Sequence, residues 1–338
     1  MLILNCIPEA RGWSPIQYMI ALAAELFEAS VLNVTDHHPG FMAQVASVLR
    51  RRTKGDYRES CLLVGPGPGD LKKILNIPGW RNRFGVTGAW IIDSFWVDHI
   101  PKVLRLSNPF DYIFVTLQED VEIWKRATGA KIVWLPWGSD ALRLGSCSAH
   151  RAWDITRVGR QPPEWEEDIV ASREAKSLGI NYRCRPASDG VNTLQNQRLM
   201  MDVYADTKYV LAFSNAANPE PYTHPIRQYL TGRWVDGLSA GSVLAGIPPQ
   251  GDSARALLWS EATLDLGTVR REEGLQALAA ALRDWTPQLA LKNHSMALKA
   301  LDWRWRFQTL AETLGLSCDR LDNEIKLLRE RIDRLAVH

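Results

Sequence analysis

Three arginines, Arg160, Arg227 and Arg233, fall near one candidate helix start at Thr231-Gly232. Guanidinium groups and the free N–H groups of a helix's first turn both attract anions, and a diphosphate suits the two together. Asp236 lies one turn into the same helix, and His224 sits in the loop before it, within Tyr222-Thr223-His224-Pro225. Carboxylates that suit proton transfer lie elsewhere. Asp93 follows the apolar run VTGAWII at 86–92, Glu119 follows the next apolar run, and Asp98 and His99 are close by. A carboxylate at the end of a strand can take a proton from a hydroxyl as that oxygen attacks. Asp93 is the favoured base, and Glu119, Asp98 and His99 compete. Each residue also has a plainer use. Asp93 can cap a helix over 94–100, each arginine can be surface-paired, Asp236 can serve helix-start electrostatics, and His224 can be an exposed loop residue.

These groups need a scaffold that presents strand ends. Over the first 135 residues, short apolar runs at 2–6, 31–34, 61–64, 86–92, 112–115 and 131–135 alternate with helical stretches. Ser14-Pro15 opens the first helix, with serine expected as N-cap and proline at the first helical position, and 40–51 reads as the second. Such alternation implies βαβ units and a parallel sheet. Residues 137–151 have no clear period and read as a linker. The alternation then restarts, with strands at 154–158, 181–184, 209–213 and 242–245 and helices at 164–177, 194–204 and 231–240, the last closed by Gly241. The expected fold is α/β, with two Rossmann-like domains facing a cleft and a C-terminal helical tail. The boundaries are 1–136, a linker at 137–151, 152–300, and helices over 301–338. From 307 onward Leu314, Cys318, Leu321, Ile325, Leu328, Ile332 and Leu335 step by four and three. That stripe either lies on its own domain or forms a short coiled coil, so a homodimer through 307–336 is possible.

Composition excludes several classes. A net charge of +2 over 338 residues argues against a dedicated nucleic-acid binder. Five scattered cysteines fit neither a disulfide framework nor a zinc site. No signal-peptide core and no run of about 18 apolar residues is visible, so a cytoplasmic protein without a transmembrane segment is expected. The sequons at Asn33 and Asn293 are read as coincidence. Some of the 14 tryptophans are expected to line a sugar or base pocket. Gly65-Pro66-Gly67-Pro68-Gly69 follows a strand but lacks a Walker lysine, and its prolines remove amide donors, so it reads as a tight turn. No G-x-G-x-x-G follows the first strand of either half, which disfavours a dinucleotide dehydrogenase.

The segment 231–246, TGRWVDGLSAGSVLAG, resembles the donor-binding helix of GT-B-fold glycosyltransferases, with Arg233, Trp234, Asp236, Leu238, Ala240 and Gly241 on its R-x-F-E-A-L-A-C-G pattern. The strand and loop at 209–223 are similar to that family, IVWLPWGSD at 132–140 resembles its V-x-P-x-G-x-D, and LDWRWRFQTL at 301–310 resembles the W-x-x-R-F segment of bacterial members close to the spore-protein and "family 1" enzymes. The resemblance covers about residues 85–315. It implies metal-independent transfer of a sugar from a nucleotide-diphosphate-sugar donor to a hydroxyl acceptor, which is a glycan, a protein or a small molecule. No cofactor and no metal are implied; the nucleotide sugar is a substrate. Donor binding falls to Arg160, His224, Arg227, Thr231, Gly232, Arg233 and Asp236, with Asp236 on the ribose hydroxyls. The first strand-to-helix loop of this architecture faces the acceptor, which points to Glu9, Arg11 and Trp13. Two features depart from the family pattern. Where retaining members carry two glutamates eight positions apart, this chain has Gln228 and Asp236, and no lysine follows Gly159-Arg160 closely. A nucleotide-sugar epimerase of the same fold and a catalytically silent nucleotide- or sugar-binding partner protein remain alternatives.

Overall fold

The computed structural model describes residues 1–34, 40, 59–187 and 190–336. The expected helix at 40–51 therefore lies almost wholly outside the described residues. The chain divides into two compact units, Met1–Pro136 with Arg306–Asn323, and Trp137–Trp305 with Glu324–His338.

The first unit holds a six-stranded parallel sheet of β1 (Leu2–Asn5), β2 (Ser30–Asn33), β3 (Ser60–Gly65), β4 (Val86–Ile91), β5 (Tyr112–Val115) and β6 (Lys131–Trp134), in the order 2-1-3-4-5-6. Its central strands are continuous apolar runs because both faces are covered, as parallel sheets require. All six residues of β3 are buried. Helix α1 (Ser14–Leu26) buries Ile16, Met19, Ile20, Ala23 and Leu26, the spacing of one helical face. Its N-cap is Trp13 rather than Ser14, so the serine is the first helical residue and Pro15 the second. Helix α2 (Val121–Thr128) ends at Gly129, whose φ of +68° is the left-handed conformation glycine adopts most easily. It buries Trp124, whose indole N–H donates to the Ser94 carbonyl at 2.9 Å.

The second unit holds a five-stranded parallel sheet of β7 (Trp153–Arg157), β8 (Tyr182–Arg183), β9 (Thr207–Leu211), β10 (Val243–Gly246) and β11 (Thr263–Asp265), in the order 11-10-9-7-8. Around it lie α3 (Asp168–Ser177), α4 (Thr193–Ala205), α5 (Gly232–Ser239), α6 (Arg271–Asp284) and α7 (Pro287–Ala300). The single helix expected over 164–177 is broken at Glu167 into one turn (Pro163–Glu166) and α3. Arg151 is buried and donates to the carbonyls of Tyr204, Thr207 and Ala240, so one guanidinium satisfies the ends of α4 and α5. Residues 137–151, expected as a linker, belong to this unit and include the turn Ala141–Leu144.

Two of the family-like segments meet here. Ser139 pairs with Asp302 in a parallel bridge, and Arg304 is fully buried with its guanidinium 2.7 Å from Asp140 and 2.9 Å from Asp302. Burial works to lower the Arg304 pKa, but the two carboxylates override it and hold the cation above its usual range. Gly138 is required at this approach, because a Cβ there would lie 2.7 Å from the Leu301 carbonyl.

The tail forms two helices, α8 (Trp303–Leu314) and α9 (Asp319–Ala336), separated at Gly315 with φ +67°. The heptad read from the sequence is thus interrupted after its first position. Leu314, Leu321, Ile325 and Leu328 are buried within the chain, so the stripe lies on its own protein there.

Candidate functional site

In an open parallel sheet, ligands bind beyond the carboxyl ends of the strands, where the strand order reverses. In the second unit that point lies between β7 and β9. The segment after β7 is Val158-Gly159-Arg160-Gln161, and the segment after β9 runs from 212 to 231 into α5. Gly159 has φ +65°, and a Cβ on it would stand 2.7 Å from Arg233 Nη2. Arg233 enters from the first turn of α5 and donates from Nη1 to the Arg160 carbonyl at 3.1 Å. The Arg160 guanidinium stands over the Tyr222 ring at 5.2 Å and 3.8 Å from Glu220 Oε1. The turn is braced from behind. Arg157 grips Asp168 through two nitrogens at 2.7 and 2.8 Å and Glu166 at 2.7 Å, while the other Glu166 oxygen accepts the Gln161 N–H at 2.6 Å.

Arg157 is neutralised by two carboxylates and Arg160 has one near. Arg233 meets none within ion-pair distance among the described residues. Burial of its charged end lowers its pKa to about 10; Arg160 and Arg157 push the same way, and Tyr204 and Glu166 oppose. A desolvated cation without a counter-ion is costly to hold. It stands at the start of α5, where Thr231 is extended and makes no side-chain cap, so the amides of Gly232 and Arg233 are open to another acceptor. Two arginines, a helix N-terminus and a braced glycine turn together offer the groups that can hold an anion.

His224 is buried rather than exposed, the reverse of the plainer expectation for a loop histidine. Its Nδ1 accepts the N–H groups of Ile226 (3.1 Å) and Arg227 (2.8 Å), which places the proton of the neutral ring on Nε2. Asn215 donates to the carbonyls of His224 and Arg227 at 2.9 and 2.8 Å. Both side chains shape the loop that carries Tyr222 and the half-buried Arg227. Asp236, expected to meet the ribose hydroxyls, faces the interior instead. It is buried, with Ser139 donating to one oxygen at 2.6 Å and Gln197 to the other at 2.9 Å. Burial raises its pKa to about 6 against those two bonds. Its carboxylate faces interior partners and is not open to a ribose. Gln228, at the other position of the glutamate pattern, accepts the Gln250 N–H. Tyr222, Glu220 and the left-handed Gly159 were not singled out from sequence; only the Gly159-Arg160 pair carried a signal.

In the first unit the strand order reverses between β1 and β3. Glu9 and Arg11 are exposed after β1 and Trp13 is half-buried. The glycine-proline loop after β3 is a turn closed on itself, with Asp70 accepting the Gly67 N–H and pairing with Lys73. Asp93 follows β4, its N–H donating to the Pro66 carbonyl at 2.8 Å. Ser94 and Thr116 bond to each other at 3.0 Å, and the Thr116 hydroxyl donates to the Ile92 carbonyl, so the ends of β4 and β5 are tied on either side of Asp93. Among the described residues the Asp93 carboxyl has no hydrogen-bond or ion-pair partner. Burial raises its pKa to about 7. A base poised near neutral pH accepts protons most effectively. Glu119 lies half-buried in the turn Gln118–Asp120 after β5, and Asp98 and His99 are exposed. Among the described residues no three His, Cys, Asp or Glu side chains come together as a metal site, and no helix is long and apolar enough to cross a membrane.

Comparison with solved structures identifies the fold. HepE from Anabaena, in complex with UDP and glucose, superposes with TM-score 0.56 at 13% identity, over 93% of this chain and 99% of that one. A glycosyltransferase from Rickettsia africae matches with TM-score 0.53 at 10% identity, over 93% and 97%. An α,α-trehalose-phosphate synthase (UDP-forming) from Burkholderia vietnamiensis matches with TM-score 0.51 at 10% identity, over 93% and 99%. No protein-family model and no curated protein matches the sequence. The chain has the GT-B fold of glycosyltransferases, with both Rossmann-like units present.

Proposed function

We propose that the protein is a glycosyltransferase that moves a sugar from a nucleoside-diphosphate donor to a hydroxyl acceptor, without a metal ion. The observation that carries this reading is Arg233, a half-buried arginine with a desolvated charged end and no carboxylate partner among the described residues, beside Arg160 and the open first turn of α5. A diphosphate supplies the missing counter-charge. UDP in HepE and a UDP-forming reaction in the trehalose-phosphate synthase favour UDP as the nucleotide.

As the bond from the sugar's anomeric carbon to the phosphate oxygen breaks, negative charge grows on the departing diphosphate. Arg160, Arg233 and the amides of Gly232 and Arg233 stabilise it where it develops. Arg233 also supplies the second cation that the missing lysine after Gly159-Arg160 leaves unfilled. The acceptor hydroxyl attacks the anomeric carbon from the face opposite the departing diphosphate, which gives inversion, and loses its proton to the Asp93 carboxylate. Glu9, Arg11 and Trp13, beside the other strand end, contact the acceptor.

The test is a thermal-shift series with UDP, GDP, ADP, CMP, dTDP and NAD. A nucleotide at ~100 times its dissociation constant stabilises a fold by roughly 2.7 kcal/mol. The expected result is stabilisation by a nucleoside diphosphate, UDP above the others. Stabilisation by NAD alone, or by none of the six, contradicts the assignment.

A further inference from the structure

The loop that carries Asp93 also carries a flat aromatic pair. Trp96 and His99 stack with ring centres 5.0 Å apart and planes 2° from parallel. The backbone sets this up. The Trp96 N–H donates to the Asp93 carbonyl at 3.3 Å, and the His99 N–H donates to the Trp96 carbonyl at 2.9 Å, so the turn Val97–His99 folds residue 99 back over 96. The inner side of the loop is anchored in the core through buried Phe95 and through the bond from Trp124 to the Ser94 carbonyl. His99 and Asp98 are exposed and Trp96 is half-buried. An exposed imidazole loses rotamer freedom by lying flat on an indole.

We propose that the Trp96–His99 stack is the platform on which the acceptor lies, and that the acceptor is an uncharged carbohydrate. The inference rests on the transferase reading for the word acceptor. A pyranose has an apolar face of axial C–H groups, which packs on a flat π-surface, and a rim of hydroxyls that need acceptors. Asp93 precedes the pair and the exposed Asp98 lies between its two members in the same loop, so both can offer carboxylate oxygens to that rim. A hydroxyl received by Asp93 is also the one positioned to lose its proton. An anionic acceptor meets two like charges here, and a lipid chain meets a surface whose outward residues are Asp98 and His99.

The experiment is saturation-transfer NMR on the full chain with maltotriose, cellotriose and triacetylchitotriose at millimolar concentration, for the native protein and for Trp96→Ala, His99→Ala and Trp96→Phe. At least one trisaccharide is expected to receive saturation. The signal is expected to fall at least fivefold in Trp96→Ala and His99→Ala and to persist in Trp96→Phe, which keeps a flat ring. No transfer to any trisaccharide, or equal transfer in Trp96→Ala, overturns the proposal. The UDP thermal shift of the native protein separates the two readings. Saccharide binding without a UDP shift sinks the donor assignment and leaves the platform standing; a UDP shift without saccharide binding sinks the platform alone.

Discussion

Replacing Arg233 with methionine separates the cost of a desolvated cation from its use. The guanidinium pKa drops from the usual 12.5 to about 10. At 1.36 kcal/mol per pH unit, this corresponds to a penalty on the order of 3 kcal/mol for keeping the charge in the folded state. The folded pKa lies below the unfolded one, so the whole penalty is present below about pH 10 and fades only as pH rises toward 12.5. Methionine removes that cost and loses one hydrogen bond to the Arg160 carbonyl, worth ~1 kcal/mol. The net gain is roughly 1–2 kcal/mol at pH 7, or about 2–8 °C in Tm for a unit of this size. The nucleotide-free variant is therefore expected to melt above the native protein. With the counter-charge for the diphosphate gone, the UDP-induced shift is expected to vanish. Differential scanning fluorimetry with and without UDP reads both effects in one experiment. A variant that melts no higher than the native protein and keeps its UDP shift refutes the reasoning, because Arg233 would then be neither strained nor used.

Other outcomes follow from the same geometry. Asp93→Asn is expected to abolish transfer while keeping the UDP shift. Transfer by the native protein is expected to rise with pH through about 7, as the buried carboxyl ionises. Because the folded pKa is above the unfolded one, Asp93 costs stability increasingly above pH 3.8 and fully above about 7. Asp93→Asn should therefore match the native Tm in acid and exceed it at pH 8. Gly159→Ala must hold alanine at φ +65° with its Cβ against Arg233, so a stability loss of about 1–3 kcal/mol is expected in urea unfolding, with weaker UDP binding. Arg304→Ala leaves Asp140 and Asp302 buried without their cation and is expected to cost about 3–5 kcal/mol.

The architecture was largely legible because parallel strands buried on both faces read as short apolar runs. The run at 112–115 matches β5 residue for residue, and most of the others fall within one or two positions of a strand. The local arrangement of the candidate site was legible where it depends on neighbouring chain. A glycine and arginine follow β7, and a helix start lies beyond β9. It was illegible where partners are distant. The bonds to Asp236 come from Gln197 and Ser139, 39 and 97 positions away, and they turn an expected ribose contact into an interior residue. The heptad is not one unbroken run, because Gly315 ends a helix, but Leu321, Ile325 and Leu328 are buried within the chain, which agrees with a stripe lying on its own domain. The stack of Trp96 on His99 depends on a tight turn that no periodicity signals.

Glycosyl transfer itself is tested most directly by incubating the native protein and Asp93→Asn with a panel of isotope-labelled UDP-hexoses and neutral trisaccharide acceptors, then resolving the products by mass spectrometry. The account expects UDP to appear in step with a saccharide one hexose longer for the native protein, and no elongated product for Asp93→Asn. Bound nucleotide with the sugar recovered unchanged, or recovered as its epimer, contradicts it.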